Sequence, residues 1–238
     1  MLLADRLLTR PPAWLRPLYG GGEWVGAPSG PGGRPRLYLT FDDGPIPDET
    51  PWVLEQLATH PGGARATFFC VGDNVRRHPE LARAIRAAGH GLGNHTQHHL
   101  NAWATPHARY LADVAECEAS LADSCWPIAD SSCSTEKPSA NSHQLTAKKL
   151  FRPPYGRLTP ALLRQLRPRY RVLLWSLLTR DYDPDLLPER ALRLTLAATR
   201  PGDIIVLHDS RKASRSLRFL LPRLLQAYGE AGYELAGL

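Results

Sequence analysis

Two adjacent carboxylates, Asp42 and Asp43, follow the apolar run Leu37–Phe41 and precede the pair Gly44-Pro45. The run is β-prone, successive strand residues point to opposite sides, and the Gly-Pro pair forces the chain to turn at once. Two acids at the end of a strand can therefore serve different tasks in one cleft, and a metal beside one of them removes their mutual repulsion. The alternative is a polar turn that only closes a strand.

A histidine pair with i, i+4 spacing, His95 and His99, is the second chemical signal. On a helical turn both imidazoles would face the same way, and two histidines with one carboxylate form the ligand set of a catalytic zinc site. Thr96 stands where an H-E-x-x-H helix carries its glutamate, so a zincin-type protease is excluded and the base must come from elsewhere. Asp42 is the candidate base, beside the candidate ligand Asp43. A solvated histidine pair at a helix start is the alternative.

An arginine and a turn make a third polar group further along the chain. Arg152 follows an apolar run and is suited to hold a carboxylate such as Asp42, whereas an ordinary surface ion pair is the alternative. Tyr155 and Gly156 offer backbone N–H groups that could face an oxyanion, or they form a plain Pro-initiated turn.

A third histidine, His208, emerges from the apolar run Ile204–Leu207 and is a candidate general acid. A hydrogen-bonded core histidine is the alternative. Asp181 follows a predicted strand that ends at Ser176. All these polar groups come at the C-terminal ends of predicted strands, and in a parallel barrel that face carries the active site. The sequence therefore predicts that they share one cleft.

The elements that position these residues alternate along the chain from Leu37 onwards. Strands are predicted at 37–41, 66–71, 170–176 and 203–208, with a last short strand at 233–235. The short, Gly-rich segment 91–95 and the segment 150–152 before a turn complete the set. Helical patterns lie between most of them, at 50–58, 80–88, 107–121, 160–166, 187–199 and 214–228. Repeated strand–helix units predict an α/β fold with a parallel sheet, as a barrel or as a doubly wound sheet.

The chain of 238 residues needs only one domain. Residues 1–36, rich in Pro, Gly and Trp, predict an irregular lead-in with one short helix, and residues 37–238 form the domain. The Ser-rich stretch 122–149 predicts a long loop, either functional or a disordered or variable insertion. Cys70 is predicted to be a buried small apolar residue, whereas Cys125 and Cys133 could pair in an oxidising compartment.

Charge and composition favour a globular protein and exclude some partners. The formal net charge is +6, but the basic residues are spread without a dense block, so no nucleic-acid surface is predicted. A modest attraction to anionic surfaces, including cell-wall polymers, is permitted. Charged residues interrupt the leucines of the first 18 residues, which predicts no secretory signal and no membrane span. The expected location is the cytoplasm, with export by a route that the sequence does not show as the alternative.

Taken in order, these motifs resemble those of the polysaccharide deacetylase family, also called the NodB-homology or carbohydrate esterase 4 group. The first motif resembles Thr40–Pro45, the second His95–His99, the third Arg152–Tyr155 and the fifth Val206–His208. The resemblance runs from about Leu37 to the C-terminus. One such motif alone is a weak signal, whereas all of them in order are a strong one.

The resemblance implies a distorted (β/α) barrel and a divalent metal, usually zinc, with Co²⁺ or Ni²⁺ as alternatives. It implies metal ligands at Asp43, His95 and His99. The implied catalytic groups are Asp42 as base, Arg152 orienting that base, His208 as acid and the Tyr155 backbone N–H at the oxyanion.

Two positions depart from the family pattern. Asp181-Tyr182 stands where the family commonly has Asp-Trp, so Asp181 is carried over as the partner of His208 while Tyr182 alters the substrate wall. Val206 replaces the leucine that lines the acetyl pocket in the family, which leaves a smaller apolar wall.

The expected activity is metal-dependent hydrolysis of an N-acetyl group on a glycan, such as a chitooligosaccharide or a peptidoglycan-like chain, with release of acetate. Alternatives on the same site are an O-acetyl esterase, a small-amide hydrolase and a non-catalytic glycan-binding relative. The expected partner is the N-acetylated glycan, and the oligomeric state is open.

Overall fold

The computed structural model describes residues 9–12, 22–124 and 148–238, and its centre is an eight-stranded sheet. Each strand pairs with its neighbours in parallel. The strands are β1 (Arg36–Asp42), β2 (Ala66–Cys70), β3 (Gly91–Asn94), β4 (Lys149–Phe151), β5 (Tyr170–Val172), β6 (Leu177–Leu178), β7 (Ile204–His208) and β8 (Glu234–Leu235).

Helices connect the strands and cover the sheet. They are α1 (Thr50–Ala58), α2 (Gly72–Arg77), α3 (Pro79–Ala87), α4 (His107–Ser124), α5 (Pro160–Leu166), α6 (Pro188–Ala198) and α7 (Ser214–Glu230), with a 3₁₀ turn at Pro154–Gly156. The predicted α/β fold of the distorted barrel type is confirmed. The short helix α2 was not predicted, because its six residues are mostly polar and carry no helical apolar period.

The central strand β1 is buried on both faces. The strand order is β5-β4-β3-β2-β1-β7-β6, and β8 also pairs with β1. Leu37, Leu39 and Phe41 are fully buried and belong to the largest apolar cluster, together with Leu217 and Leu220 of α7. Full burial of such a side chain contributes about 1.5–3 kcal/mol, so β1 is fixed firmly beneath the residues that follow it.

The sheet curls so that its two ends approach each other. β5 and β6 lie at opposite ends of the strand order, yet only residues 173–176 separate them in sequence. The prediction of one strand at 170–176 is therefore wrong. The bend at Ser176 explains the break, because its hydroxyl donates to Asp203 Oδ1 over 2.7 Å and its amide donates to the Ile204 carbonyl over 3.2 Å.

Part of the predicted lead-in lies along the seam between these two ends. Glu23 forms a β-bridge with Leu173, and Val25 forms one with Asp203. Residues 1–8 and 13–21 lie outside the described residues, as does most of the predicted loop at 122–149 together with Cys125 and Cys133. Cys70 is buried, as predicted, and it is not in a disulfide.

Across residues 9–12, 22–124 and 148–238, no helix is both long and apolar enough to cross a membrane.

Candidate active site

The two carboxylates at the end of β1, Asp42 and Asp43, contact different residues. Asp42, in register with His208 of β7, is buried and accepts a hydrogen bond from Arg152. Asp43 has a left-handed backbone (φ 79°), and its carboxylate approaches His99 and His95. Gly44 must follow, because a Cβ there would collide with the carboxylate of Asp209.

Asp209 holds the turn that follows the carboxylate pair. It is fully buried, its Oδ1 accepts from the Gly44 amide over 3.1 Å and its Oδ2 accepts from the Thr50 hydroxyl over 2.6 Å. Burial raises the pKa of Asp209 to about 8. Asp209 was not predicted as a site residue, and its position directly after His208 is the one signal in the sequence.

Arg152 is buried beneath the cleft, which excludes the surface ion pair. Its Nη1 donates to Asp42 Oδ1 and to Thr40 Oγ1, each over 2.7 Å, and its Nη2 donates to the Leu174 carbonyl over 3.0 Å. The guanidinium also lies 4.1 Å from the centre of the Phe69 ring. Burial lowers the pKa of Arg152 and the charge of Asp42 opposes that change, so the guanidinium stays protonated.

Asp43, His95 and His99 bring three candidate metal-ligand atoms within 4.8 Å of one another. Asp43 Oδ1 lies 3.1 Å from His99 Nε2 and 3.7 Å from His95 Nε2. His95 Nδ1 donates to the Arg152 carbonyl over 2.8 Å, which leaves the Nε2 lone pair facing Asp43. Burial lowers the pKa of His95 to about 4, so its imidazole is neutral as a metal ligand requires.

Asp43 remains ionised beside these histidines. Burial would raise the pKa of its carboxyl, but the hydrogen bond from His99 and the positive charge of His208 hold that pKa well below its ordinary value. An ionised carboxylate with two imidazoles fits a divalent cation such as zinc.

The histidine pair does not lie on a helical turn, and that part of the prediction is wrong. The residues after β3 form a loop in which Thr96 and His99 have left-handed backbones (φ 64° and 55°). Asp113 of α4 fixes this loop, because its Oδ2 accepts from the amides of Gln97 and His98 over 2.9 and 3.1 Å. The two imidazoles thus converge through loop geometry.

His208 is held by both oxygens of Asp181. Its Nδ1 donates to Oδ1 over 2.8 Å and its amide donates to Oδ2 over 2.7 Å. Burial would lower the pKa of His208, but Asp181, Asp43 and Asp42 outweigh it and raise the pKa to about 9. The Tyr182 ring stands edge-on to the imidazole, with centroids 5.0 Å apart.

Tyr155 contacts the histidine cluster through its side chain. Its hydroxyl lies 3.1 Å from His99 Nδ1, and its backbone is left-handed (φ 60°). The Gly156 amide donates to the Pro153 carbonyl over 3.0 Å, so the sequence-based suggestion of Gly156 as an oxyanion donor is wrong. Gly156 also packs flush on Trp175, whose ring would lie 2.5 Å from an added Cβ.

One cleft of about 470 Å³ brings these groups together. The predicted residues that line it are Asp42, Asp43, His95, His99, Tyr155, Tyr182, Val206 and His208, whereas Arg152 and Asp181 lie buried behind its wall. The lining also includes Arg157, Trp175, Leu178 and Lys212, which were not predicted as site residues. None of these four belongs to a motif, so only the three-dimensional arrangement identifies them.

Comparison with known proteins agrees with this arrangement. The family model described as polysaccharide deacetylase matches residues 29–127. A chitooligosaccharide deacetylase from Rhizobium leguminosarum bv. trifolii is 32% identical over 174 residues, which cover 73% of this chain and 71% of that protein. The chain belongs to the polysaccharide deacetylase family.

Two further relatives of this polysaccharide deacetylase chain extend the comparison. A peptidoglycan-N-acetylglucosamine deacetylase from Bacillus cereus is 31% identical over 221 residues, which cover 87% of this chain and 71% of that protein. The solved structure of a family 4 carbohydrate esterase from Streptomyces lividans, in complex with acetate, has 25% identity and a TM-score of 0.63. The superposed region covers 83% of this chain and 90% of the Streptomyces lividans chain. The predicted family and barrel are therefore confirmed.

Proposed function

We propose that this polysaccharide deacetylase removes N-acetyl groups from a glycan in a metal-dependent hydrolysis that releases acetate and leaves a free amine. The main support for this proposal is that three groups of polar residues line or border one cleft. They are the cluster of Asp43, His95 and His99, the carboxylate of Asp42 bound by Arg152, and His208 bound by Asp181. The curated relatives named above, a chitooligosaccharide and a peptidoglycan-N-acetylglucosamine deacetylase, support a glycan substrate.

Asp43, His95 and His99 would hold the divalent cation, and zinc is the metal we propose, with Co²⁺ and Ni²⁺ as alternatives. The two imidazoles and one carboxylate are a common zinc donor set, and the neutral His95 fits it. Once bound, such a cation supplies Lewis-acid chemistry to the acetyl carbonyl and to the attacking water.

Asp42 takes the proton of the attacking water. Arg152 orients this carboxylate, because Nη1 donates to Oδ1 while Thr40 and the Leu174 carbonyl fix the guanidinium. The Tyr155 backbone N–H donates to the oxyanion that develops as water adds to the carbonyl carbon.

His208 gives its proton to the leaving nitrogen as the carbon–nitrogen bond breaks. Asp181 holds the imidazolium in place and favours its protonated form, which matches a general acid at neutral pH. Val206 and Tyr182 form the wall of the cleft around the acetyl group.

Acetate release from N-acetylglucosamine oligomers tests this proposal. The protein is stripped of metal by chelation, then assayed after addition of Zn²⁺, Co²⁺ or Ni²⁺. We expect no release from the stripped protein and restored release with metal. Parallel assays on acetylated xylan and on peptidoglycan separate ester from amide substrates. Absence of release from every N-acetylated glycan, with metal measured on the protein, would contradict the proposal.

A further inference from the structure

The outer faces of α6 and α7 hold an excess of positive charge. Residues 188–230, which contain both helices, include eight basic and four acidic residues. The basic residues, all of them exposed, are Arg190, Arg193, Arg200, Arg211, Lys212, Arg215, Arg218 and Arg223. Of the acidic residues, Asp203 and Asp209 are buried in hydrogen bonds, and only Glu189 and Glu230 lie at the surface. The two helices therefore present a positively charged surface to solvent.

This excess is local and does not extend over the other helices of the sheet. Residues 72–124, which contain α2, α3 and α4, include five basic and six acidic residues. Two of those basic residues, Arg76 and Arg77, both pair with Asp73. A general preference of the sequence for arginine would charge all helices alike. The charge on α6 and α7 therefore points to a partner of opposite charge.

Six of these arginines do not line the cleft and belong to α6, α7 or the residues directly after α6. We call them the basic face: Arg190, Arg193, Arg200, Arg215, Arg218 and Arg223. α6 precedes β7 and α7 follows it, so the two helices run parallel to each other, and they pack side by side. The 17 residues of α7 span about 25 Å. The basic face thus extends along the side of the barrel, and a partner that covers it leaves the cleft at the strand ends open.

Most of the charge on the basic face is not neutralised within the protein. Arg218 Nε lies 3.2 Å from Glu49 Oε2, which neutralises that guanidinium. In the part of the chain that the structure describes, Arg193, Arg200 and Arg215 form no ion pair. Arg223 donates to the Phe219 carbonyl over 2.9 Å and has no carboxylate partner among the same residues. These guanidinium groups remain available to an external anion.

Apolar side chains are accessible beside the arginines. Leu196 of α6 is 36% exposed, and Leu187, directly before α6, is 64% exposed. On α7 the Arg223 guanidinium lies 3.9 Å from the centre of the half-buried Phe219 ring. A surface with both guanidinium and apolar groups matches the headgroup region of a bilayer, where phosphates lie next to acyl chains.

We propose that the basic face binds the surface of a bilayer that contains anionic phospholipids. The lipid phosphates accept hydrogen bonds from the guanidinium groups, and Leu196 and Phe219 contact the apolar part of the headgroup region. A soluble polyanion would also pair with the arginines, but it would leave these apolar side chains in water. The inference does not depend on the proposed function, because no residue of the basic face lines the cleft.

Sedimentation of the full chain with lipid vesicles tests the inference. One set of vesicles contains phosphatidylcholine alone, and the other an equimolar mixture of phosphatidylcholine and phosphatidylglycerol. We expect binding only to the anionic vesicles, with an affinity that falls as NaCl is added. The triple variant Arg193→Gln, Arg215→Gln, Arg223→Gln should bind about a hundredfold more weakly, because each basic residue near an anionic surface contributes about fivefold.

The matched control is the triple variant Arg86→Gln, Arg109→Gln, Arg164→Gln. It removes the same charge from exposed positions on α3, α4 and α5, so it should retain most of the affinity. Circular-dichroism melting verifies that both variants are folded. Equal affinities of the two variants, or equal binding of the unmutated chain to both sets of vesicles, would overturn the proposal. Binding to immobilised polyphosphate that requires the basic face, without binding to anionic vesicles, would also overturn it and assign the face to a soluble polyanion.

Discussion

The main-chain carbonyl of Arg152 accepts a hydrogen bond from His95 Nδ1 over 2.8 Å. At its other end the same arginine donates to Asp42 over 2.7 Å. One residue therefore fixes both the candidate base and a candidate metal ligand. A change in the Arg152 side chain leaves its carbonyl in place, so mutation can separate the two effects.

Replacement of Arg152 by Met should abolish activity and destabilise the fold. The substitution leaves Asp42 buried without its partner, and loss of one member of a buried ion pair costs about 3–5 kcal/mol. Urea unfolding of the metal-free protein measures this change. The control is Arg171→Met, because Arg171 pairs with the half-exposed Glu23 over a similar 2.7 Å. That pair should contribute about 0–1 kcal/mol. Equal losses in both variants would contradict the prediction.

The Asp42→Asn variant should lower kcat by at least about 10²-fold while zinc binding stays close to normal. The amide oxygen can still accept from Arg152, so the fold should persist, but the side chain can no longer take a proton. Zinc content and acetate release are measured on the same preparation. Asp48→Asn, a change at an exposed carboxylate, is the control. Near-normal turnover by Asp42→Asn would show that Asp42 is not the base.

The pH profile should depend on Asp181. Because Asp181 raises the pKa of His208 to about 9, the acid stays protonated at neutral pH and kcat should fall as pH rises through that value. In Asp181→Asn the alkaline limb should move down by about 1–3 pH units, the usual effect of a close opposite charge. The control is Asp183→Asn, since Asp183 pairs with Arg180. An unmoved limb would remove His208 from the acid role.

The raised pKa of His208 also makes the free energy of unfolding depend on pH. A histidine whose pKa is raised by folding stabilises the folded state below its unfolded pKa of about 6.5. That contribution is lost as pH rises through about 9. Unfolding free energies of the unmutated protein and of Asp181→Asn should therefore converge at high pH.

Metal affinity should depend on the Tyr155 hydroxyl. In Tyr155→Phe the ring stays beside His99, but the oxygen 3.1 Å from Nδ1 is removed. Loss of a group that orients a metal ligand should weaken zinc binding by about tenfold or more. Tyr182→Phe is the matched control, because the Tyr182 ring stands edge-on to His208, which is not a candidate ligand. Competition with a chelator measures both affinities, and equal affinities would contradict the prediction.

The three central strands could be located from the sequence because apolar residues predominate in them. β1, β2 and β7 are buried on both faces, and most of their residues are apolar. The break between β5 and β6 could not be predicted. It depends on Ser176 reaching Asp203, a contact set by the curl of the whole sheet.

The candidate site, like the fold, could be predicted only in part from the sequence. The polar groups at strand ends could be grouped into one cleft because parallel strands end at the same edge. The route by which His95 and His99 converge could not be predicted, since it depends on Asp113 in a distant helix. The structural role of Asp209 likewise depends on Gly44 and Thr50, which are far away in sequence.

The central position of β1 has a consequence for the order of assembly. β1 pairs with β7, and Thr40 bonds to a carbonyl 165 residues further along the chain. Contacts between such distant segments form slowly, because a long loop must close before they contribute. During synthesis, Asp42 cannot meet His208 until β7 has been made and has joined the sheet. The candidate site is therefore incomplete in the nascent polypeptide until β7 pairs with β1.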